Sequence, residues 1–212
     1  MKKNIYFISA ICVLSITGLW AQSEDRRENF EFGIKAGINA SNVWDEQGED
    51  FRADTKAGLA AGVWFGIPIG TFLGVQPEIL ISQKGFKGSG TLLGFPYSFS
   101  RTTSYLDIPL LVQLKPAEFI TILAGPQFSY LFNQKDNYTF GTSSIDQEQQ
   151  FSNDNIRKNI LGFVVGLDLL YENLVVSGRA GWDFQSNNGD GTNSTTPRYK
   201  NQWLQFTLGF KI

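Results

Sequence analysis

The sequence predicts an all-β protein: an eight-stranded antiparallel up-and-down transmembrane β-barrel, preceded by a cleaved signal peptide. Three observations carry that expectation. The amino terminus has the form of an export signal. The remainder alternates apolar and polar residues with a period of two. The polar set is rich in glycine where a water-soluble surface would be rich in lysine and glutamate.

The export signal comes first. Lys2 and Lys3 precede an apolar run over 5–19, which Trp20, Ala21 and Gln22 follow. A basic start, a short apolar run and a small residue at its end define a secretory signal peptide. Cleavage is predicted after Ala21, so residues 1–21 are the signal peptide and 22–29 a short periplasmic arm. Residues 30–212 are the barrel domain. The run is short for a spanning helix, which needs roughly 20 apolar residues, and the polar SEDRREN follows at once.

Composition then removes several kinds of chemistry. The single cysteine, Cys12, lies inside the signal peptide, and the chain has no histidine. The mature protein is therefore expected to hold no disulfide, thiol nucleophile or thiolate metal site. The commonest general base and metal ligand is also missing. A net charge of -2 does not suit a nucleic-acid binder. Abundant glycine and aromatic residues in an exported chain fit a β-barrel.

The strands follow in order. Residues two apart share one face of a strand. Phe30, Phe32, Ile34, Ala36 and Ile38 oppose Glu31, Gly33, Lys35, Gly37 and Asn39. Ala57, Leu59, Ala61, Val63, Phe65 and Ile67 oppose Lys56, Gly58, Ala60, Gly62, Trp64 and Gly66. Leu73, Val75, Pro77, Ile79 and Ile81 oppose Gly74, Gln76, Glu78, Leu80 and Ser82. In YLDIPLLVQLKP (105–116), Leu106, Ile108, Leu110, Val112 and Leu114 oppose Asp107, Pro109, Leu111, Gln113 and Lys115. Similar sets begin at Ile120, Leu161 and Leu174, and the last runs from Leu204 to Ile212. The glycines from Gly58 to Gly74 recur every four residues, a spacing that also occurs on packed membrane helices. Four is even, however, and keeps glycine on one strand face; Pro68 and the glycine content oppose a helix.

Alternation does not by itself say which face meets water. Soluble barrels point apolar residues inward, whereas membrane barrels point them to lipid. The glycine-rich polar face suits a cramped lumen. Connection lengths agree. Long polar ones are expected near 40–55, 85–100, 133–158 and 185–200, and short ones near 68–71, 116–118 and 171–173. Outer-membrane barrels have short periplasmic turns and longer external loops, which places both termini in the periplasm.

Three stretches, GVQPEILISQKGFK (74–87), YLDIPLLVQLKP (105–116) and AGPQFSYLF (124–132), together resemble the PorT-like family of small outer-membrane β-barrels. The resemblance spans roughly 30–212. It implies an eight-stranded barrel in a Gram-negative outer membrane and carries no assigned activity. The last aromatic here is Phe210 and the last residue Ile212, a departure from barrels that end on an aromatic.

Lys35, Glu78, Asp107, Asp168, Arg179 and Asp183 share the polar face and are expected to form a structural ion-pair network in the lumen. Arg179 is expected to bond Glu78, Asp107 or both. Leu106, Ile108, Leu110, Val112, Phe206 and Phe210 are expected to face lipid. No catalytic, cofactor-binding or metal-binding residues are expected, because no nucleophile elbow, phosphate loop, zinc motif or dinucleotide fingerprint appears. The acidic stretch Asp45, Glu46, Glu49, Asp50 and Asp54 lacks the spacing of a calcium loop.

The expected function is that of a non-enzymatic integral outer-membrane protein. Its role is structural or accessory to secretion or adhesion through the extracellular loops. Its partners are outer-membrane lipids and, during biogenesis, the barrel-assembly machinery. The alternative is a soluble periplasmic lipocalin-like barrel that binds an apolar ligand. A diffusion pore is disfavoured, because side chains fill the lumen of an eight-stranded barrel.

Overall fold

A computed structural model describes residues 26–44, 52–92, 95–140, 143–148, 156–187 and 199–212. The predicted signal peptide with Cys12 and the acidic positions 45–50 lie outside the described residues. A single 3-10 turn (Arg26–Glu28) leads into β1 (Glu31–Trp44). It is followed by β2 (Arg52–Pro68), β3 (Leu73–Leu92), β4 (Phe95–Ala117), β5 (Ile120–Phe140) and β6 (Ser143–Glu148). The chain ends with β7 (Asn159–Tyr171), β8 (Leu174–Asp183) and β9 (Lys200–Lys211).

Eight strands close into a ring. Each of β1, β2, β3, β4, β5, β7, β8 and β9 pairs antiparallel with the next, and β9 closes on β1. Closure leaves no strand edge open to hydrocarbon, the condition a sheet must meet to cross a bilayer. The sixth strand stands outside this ring: β6 pairs with the outer end of β5, from Lys135 opposite Glu148 to Phe140 opposite Ser143.

The two-residue alternation becomes two surfaces. Ile34, Ile38, Leu59, Ile79, Ile81, Ile108, Leu110, Val112, Phe206 and Phe210 are exposed on the outside of the ring. Leu106, in the same outward row, is half-buried. The polar set faces inward and is buried. This arrangement is the reverse of a soluble lipocalin-like barrel.

Most described residues in two of the four expected long loops are strand. β3 runs to Leu92 and β4 starts at Phe95, well past Ile81 and Leu106, where the outward apolar row ends. β5 likewise continues to Phe140, and β6 returns beside it. Beyond the apolar belt, the outward positions Lys87, Ser89 and Ser98 are polar and exposed. Their serine-rich composition resembles a loop, but backbone pairing continues.

Pro109 points inward and is not at a bulge. It pairs with Gln127 of β5, and the register is unchanged on either side of it. Toward β3 the ladder is interrupted where Pro109 and Ile108 face Glu78 and Ile79, with the same register above and below. A missing N–H donor removes a ladder bond and leaves the strand's course intact. Register shifts occur elsewhere, between Thr55 and Ala60, at Ser104/Tyr105 and between Leu114 and Ala117.

Candidate functional site

Tracing β4 from the end that joins the short turn to β5, the inward positions are Lys115, Gln113, Leu111, Pro109, Asp107, Tyr105, Thr103, Arg101 and Phe99. Charge, apolar bulk and charge again follow one another, and β3 repeats that order with Glu78, Leu80 and Lys84. The interior is therefore packed in layers.

The lower charged layer centres on Glu78, which is fully buried. Its carboxylate accepts from Lys35 Nζ at 2.5 Å, Arg179 Nη1 at 2.9 Å and Gln76 Nε2 at 2.6 Å. Arg179 Nη2 reaches both oxygens of Asp168 at 3.1 Å. Gln113 Nε2 donates to Gln76 Oε1 at 2.5 Å and extends the network across to β4. Two cations thus face two carboxylates, and Gln76 adds an amide donor to Glu78. Among the described residues, Arg179 Nε and Gln113 Oε1 are buried without a hydrogen-bond partner. Mutual pairing of the four charges is what makes them tolerable inside.

Above it sits an apolar layer in which Leu111, Leu123, Val164 and Trp203 are buried together. Glycine makes room for the indoles. A Cβ on Gly181 would lie 2.3 Å from the Trp203 ring, and one on Gly33 would lie 2.3 Å from that of Trp64. The glycine-rich polar face thus partly serves as a seat for tryptophan.

The upper charged layer joins Lys84 to Asp107, 3.0 Å apart. The Lys84 ammonium also lies 3.8 Å from the Trp203 ring centre and 4.8 Å from that of Tyr105. Asp183 accepts from Asn201 Nδ2 at 2.7 Å. Above the lipid belt, Arg101 forks onto Asp136 at 2.8 and 2.7 Å. Phe86, Phe99, Val43 and Tyr199 pack around that end. Phe86 meets Phe99 edge-on at 5.3 Å and Tyr199 at 5.0 Å. Burial opposes the Arg101 charge, but Tyr199 and Asp136 outweigh it and hold the pKa above its ordinary value.

The six expected lumen residues therefore separate into groups. Lys35, Glu78, Asp168 and Arg179 meet in one network. Asp107 and Asp183 sit in the layer above. Arg179 bonds Glu78 and Asp168, not Asp107, whose cation is Lys84. Parity places a residue inside but says nothing about its height, and height decides the partner. The Trp203 layer escapes sequence reasoning because Leu111 and Leu123 occupy a face that otherwise reads as polar.

At the mouth where both termini lie, Glu31 lies 3.9 Å from Lys115 and 3.6 Å from Lys211. The 3-10 turn closes over it: Arg27 Nη1 donates to the Lys115 carbonyl, and Lys115 Nζ donates to the Arg27 carbonyl.

A family model described as "Outer membrane protein beta-barrel domain" matches residues 20–210. Among solved structures, Ail, the attachment invasion locus protein of Yersinia pestis, in complex with the heparin analogue sucrose octasulfate, is 13% identical with a TM-score of 0.48. That match covers 87% of this chain and 99% of Ail. Neisserial surface protein A is 10% identical with a TM-score of 0.49, covering 87% of this chain and 100% of that one. OprG of Pseudomonas aeruginosa is 14% identical with a TM-score of 0.42, covering 88% and 97%. No curated protein matches the chain.

Proposed function

The chain belongs to the outer membrane protein beta-barrel domain family, and from that premise we propose that its working surface is the set of strands projecting beyond the bilayer. The protein is an integral barrel of the cell outer membrane. We assign it to the PorT-like members of that family, with 1–21 removed on export, 22–29 as a periplasmic arm and assembly by the barrel-assembly machinery. Its role is non-enzymatic, structural or accessory to secretion or adhesion.

One observation carries this reading. β3 and β4 continue as a paired hairpin to Leu92 opposite Phe95, past the end of the lipid belt, while the interior below is filled. A filled interior supports neither a pore nor a substrate site, since among the described residues each buried carboxylate has a cation or an amide beside it. A stiff hairpin supports contact with another molecule, because little ordering entropy remains to be lost on binding.

Cysteine labelling on intact cells tests the orientation on which this depends. The mature chain has no cysteine of its own. An impermeant maleimide should label Ser98→Cys at once and Glu118→Cys, in a short turn, only after the outer membrane is opened. The opposite pattern would overturn the assignment. A photoactivatable crosslinker at position 98 should then capture the contacting molecule.

A further inference from the structure

On the outer surface of the barrel, beside its outward rim, the structure contains a depression of about 570 Å³ that the ion-pair architecture does not explain. It opens sideways, toward the surrounding membrane. Its lower part is apolar and shallow-walled because Ala40 and Ala180 flank Leu204 in one cross-strand row. Outward positions of β3 and β4 within the belt instead carry the larger Ile79, Ile81, Ile108 and Leu110.

The upper part changes character within one residue pair. Asn42 and Gln202 sit opposite each other at the next outward position, and Trp44 and Lys200 form the pair above. The Lys200 ammonium lies 4.7 Å from the centre of the Trp44 ring. Trp182 flanks the depression on β8. Tryptophans mark the level of lipid headgroups, so an apolar groove here ends in amides and one ammonium at the headgroup boundary.

We propose that this depression is a specific site for a phosphorylated, multiply acylated glycolipid of the outer leaflet. One acyl chain would lie along Ala40, Ala180 and Leu204, and a phosphate would meet Lys200 beside Trp44. Two features select this occupant. The groove is apolar below and hydrogen-bonding with a positive charge above, complementary to a chain joined to an anionic head. It also lies at the end from which the long hairpins project, which on the orientation proposed above is the outer leaflet, where the anionic lipid is of this type.

Lipid binding to the purified full-length barrel in mild detergent tests the site, with native mass spectrometry as the readout. The probes are bis-phosphorylated lipid A, its dephosphorylated form and phosphatidylglycerol. The wild-type barrel should retain one molecule of bis-phosphorylated lipid A in preference to the other two. Ala40→Leu with Ala180→Leu should weaken retention by about tenfold or more, equivalent to ~1.4 kcal/mol. Lys200→Gln, at the rim, should weaken binding of the phosphorylated lipid and leave the dephosphorylated one unchanged. Val112→Leu, on the β4 surface, should have no effect. The proposal is overturned if the filled-groove variant stays folded and retains lipid A like wild type. Equal retention of phosphatidylglycerol, or retention of no lipid, would overturn it too. Purified barrels bind irrespective of their orientation in cells, so surface labelling reports failure of the orientation separately.

Discussion

Below the level of Ser82 and above that of Lys84, the same strand obeys opposite rules. Within the belt, β3 and β4 present Ile79, Ile81, Ile108 and Leu110 outward and keep Glu78, Ser82 and Asp107 inside. In the extension they present Lys87, Ser89 and Ser98 outward and bury Phe86 and Phe99. The backbone pattern does not change; the medium does. Against hydrocarbon, an outward isoleucine loses nothing by exposure, and the interior must be built from groups that satisfy one another. Against water, the hydrophobic effect acts in its ordinary direction and draws aromatic residues inward. One hairpin thus shows that the solvent, not the strand, decides which face is apolar.

The largest expected effect comes from breaking the rule for the belt interior. Arg179→Ala leaves Glu78 with Lys35 and Gln76, and Asp168 without the guanidinium that grips both its oxygens. Removing one partner of a buried ion pair typically costs about 3–5 kcal/mol. The variant barrel should lose its heat-resistant electrophoretic mobility at a clearly lower temperature in detergent. Adding Glu78→Gln and Asp168→Asn should recover part of the loss, whereas Asp107→Asn should recover none.

Breaking the exterior rule should cost less and depend on height. Leu110→Arg places a guanidinium near the middle of the lipid belt, at a cost of about 2–4 kcal/mol. Ser98→Arg makes the same substitution on the outside of the extension, where the expected cost is within ~0.5 kcal/mol. Folding yield into liposomes should fall for the first and stay unchanged for the second. Equal yields would mean that the belt does not end where the outward residues turn polar.

Much of this could be read in advance, for a specific reason. Alternation at a period of two is a local property, so each strand within the belt declares its two faces in five or six residues. The glycine content of the inner face then pointed to a lumen. What escaped depends on height and medium. Residues 85–100 were expected to be a loop because Gly88, Ser89, Gly90, Ser98 and Ser100 carry turn composition. Yet Phe86 and Phe99, buried and in contact, continue the alternation in its water-facing sense. For Arg179 the expected Glu78 is a partner; Asp107 is on the correct face, but cross-strand register and its shifts set it one layer too high, beside Lys84.

A conservative change inside the extension sharpens the comparison from the other side. Phe86→Leu keeps the site apolar but loses the edge-on contacts to Phe99 and Tyr199, each pair worth about 0.5–1.5 kcal/mol. The loss should be local. Amide exchange should quicken in the outer parts of β3 and β4, and the belt should keep its protection. Acceleration throughout the barrel would show that extension and belt unfold as one unit.

The smallest expected effect is a pH dependence confined to the extension. Tyr199 is buried against Phe86, and burial raises its phenol pKa above the ordinary value. Arg101 pulls in the opposite direction by charge and hydrogen bond, while Asp136 and Asp183 add to the upward shift. An unfolded tyrosine ionises at about 10. A folded-state pKa above that leaves the stability intact below pH ~10 and removes it as pH rises through the folded value. The outer parts of β3 and β4 should therefore exchange normally at neutral pH and loosen in alkali before the belt does. In Tyr199→Phe that alkaline loosening should shrink, and the phenolate absorbance titration should lose one late-titrating group. If the difference titration instead shows Tyr199 ionising with the exposed tyrosines, the extension admits water around its aromatic cluster, and its interior is not the dry counterpart of the belt's outer surface.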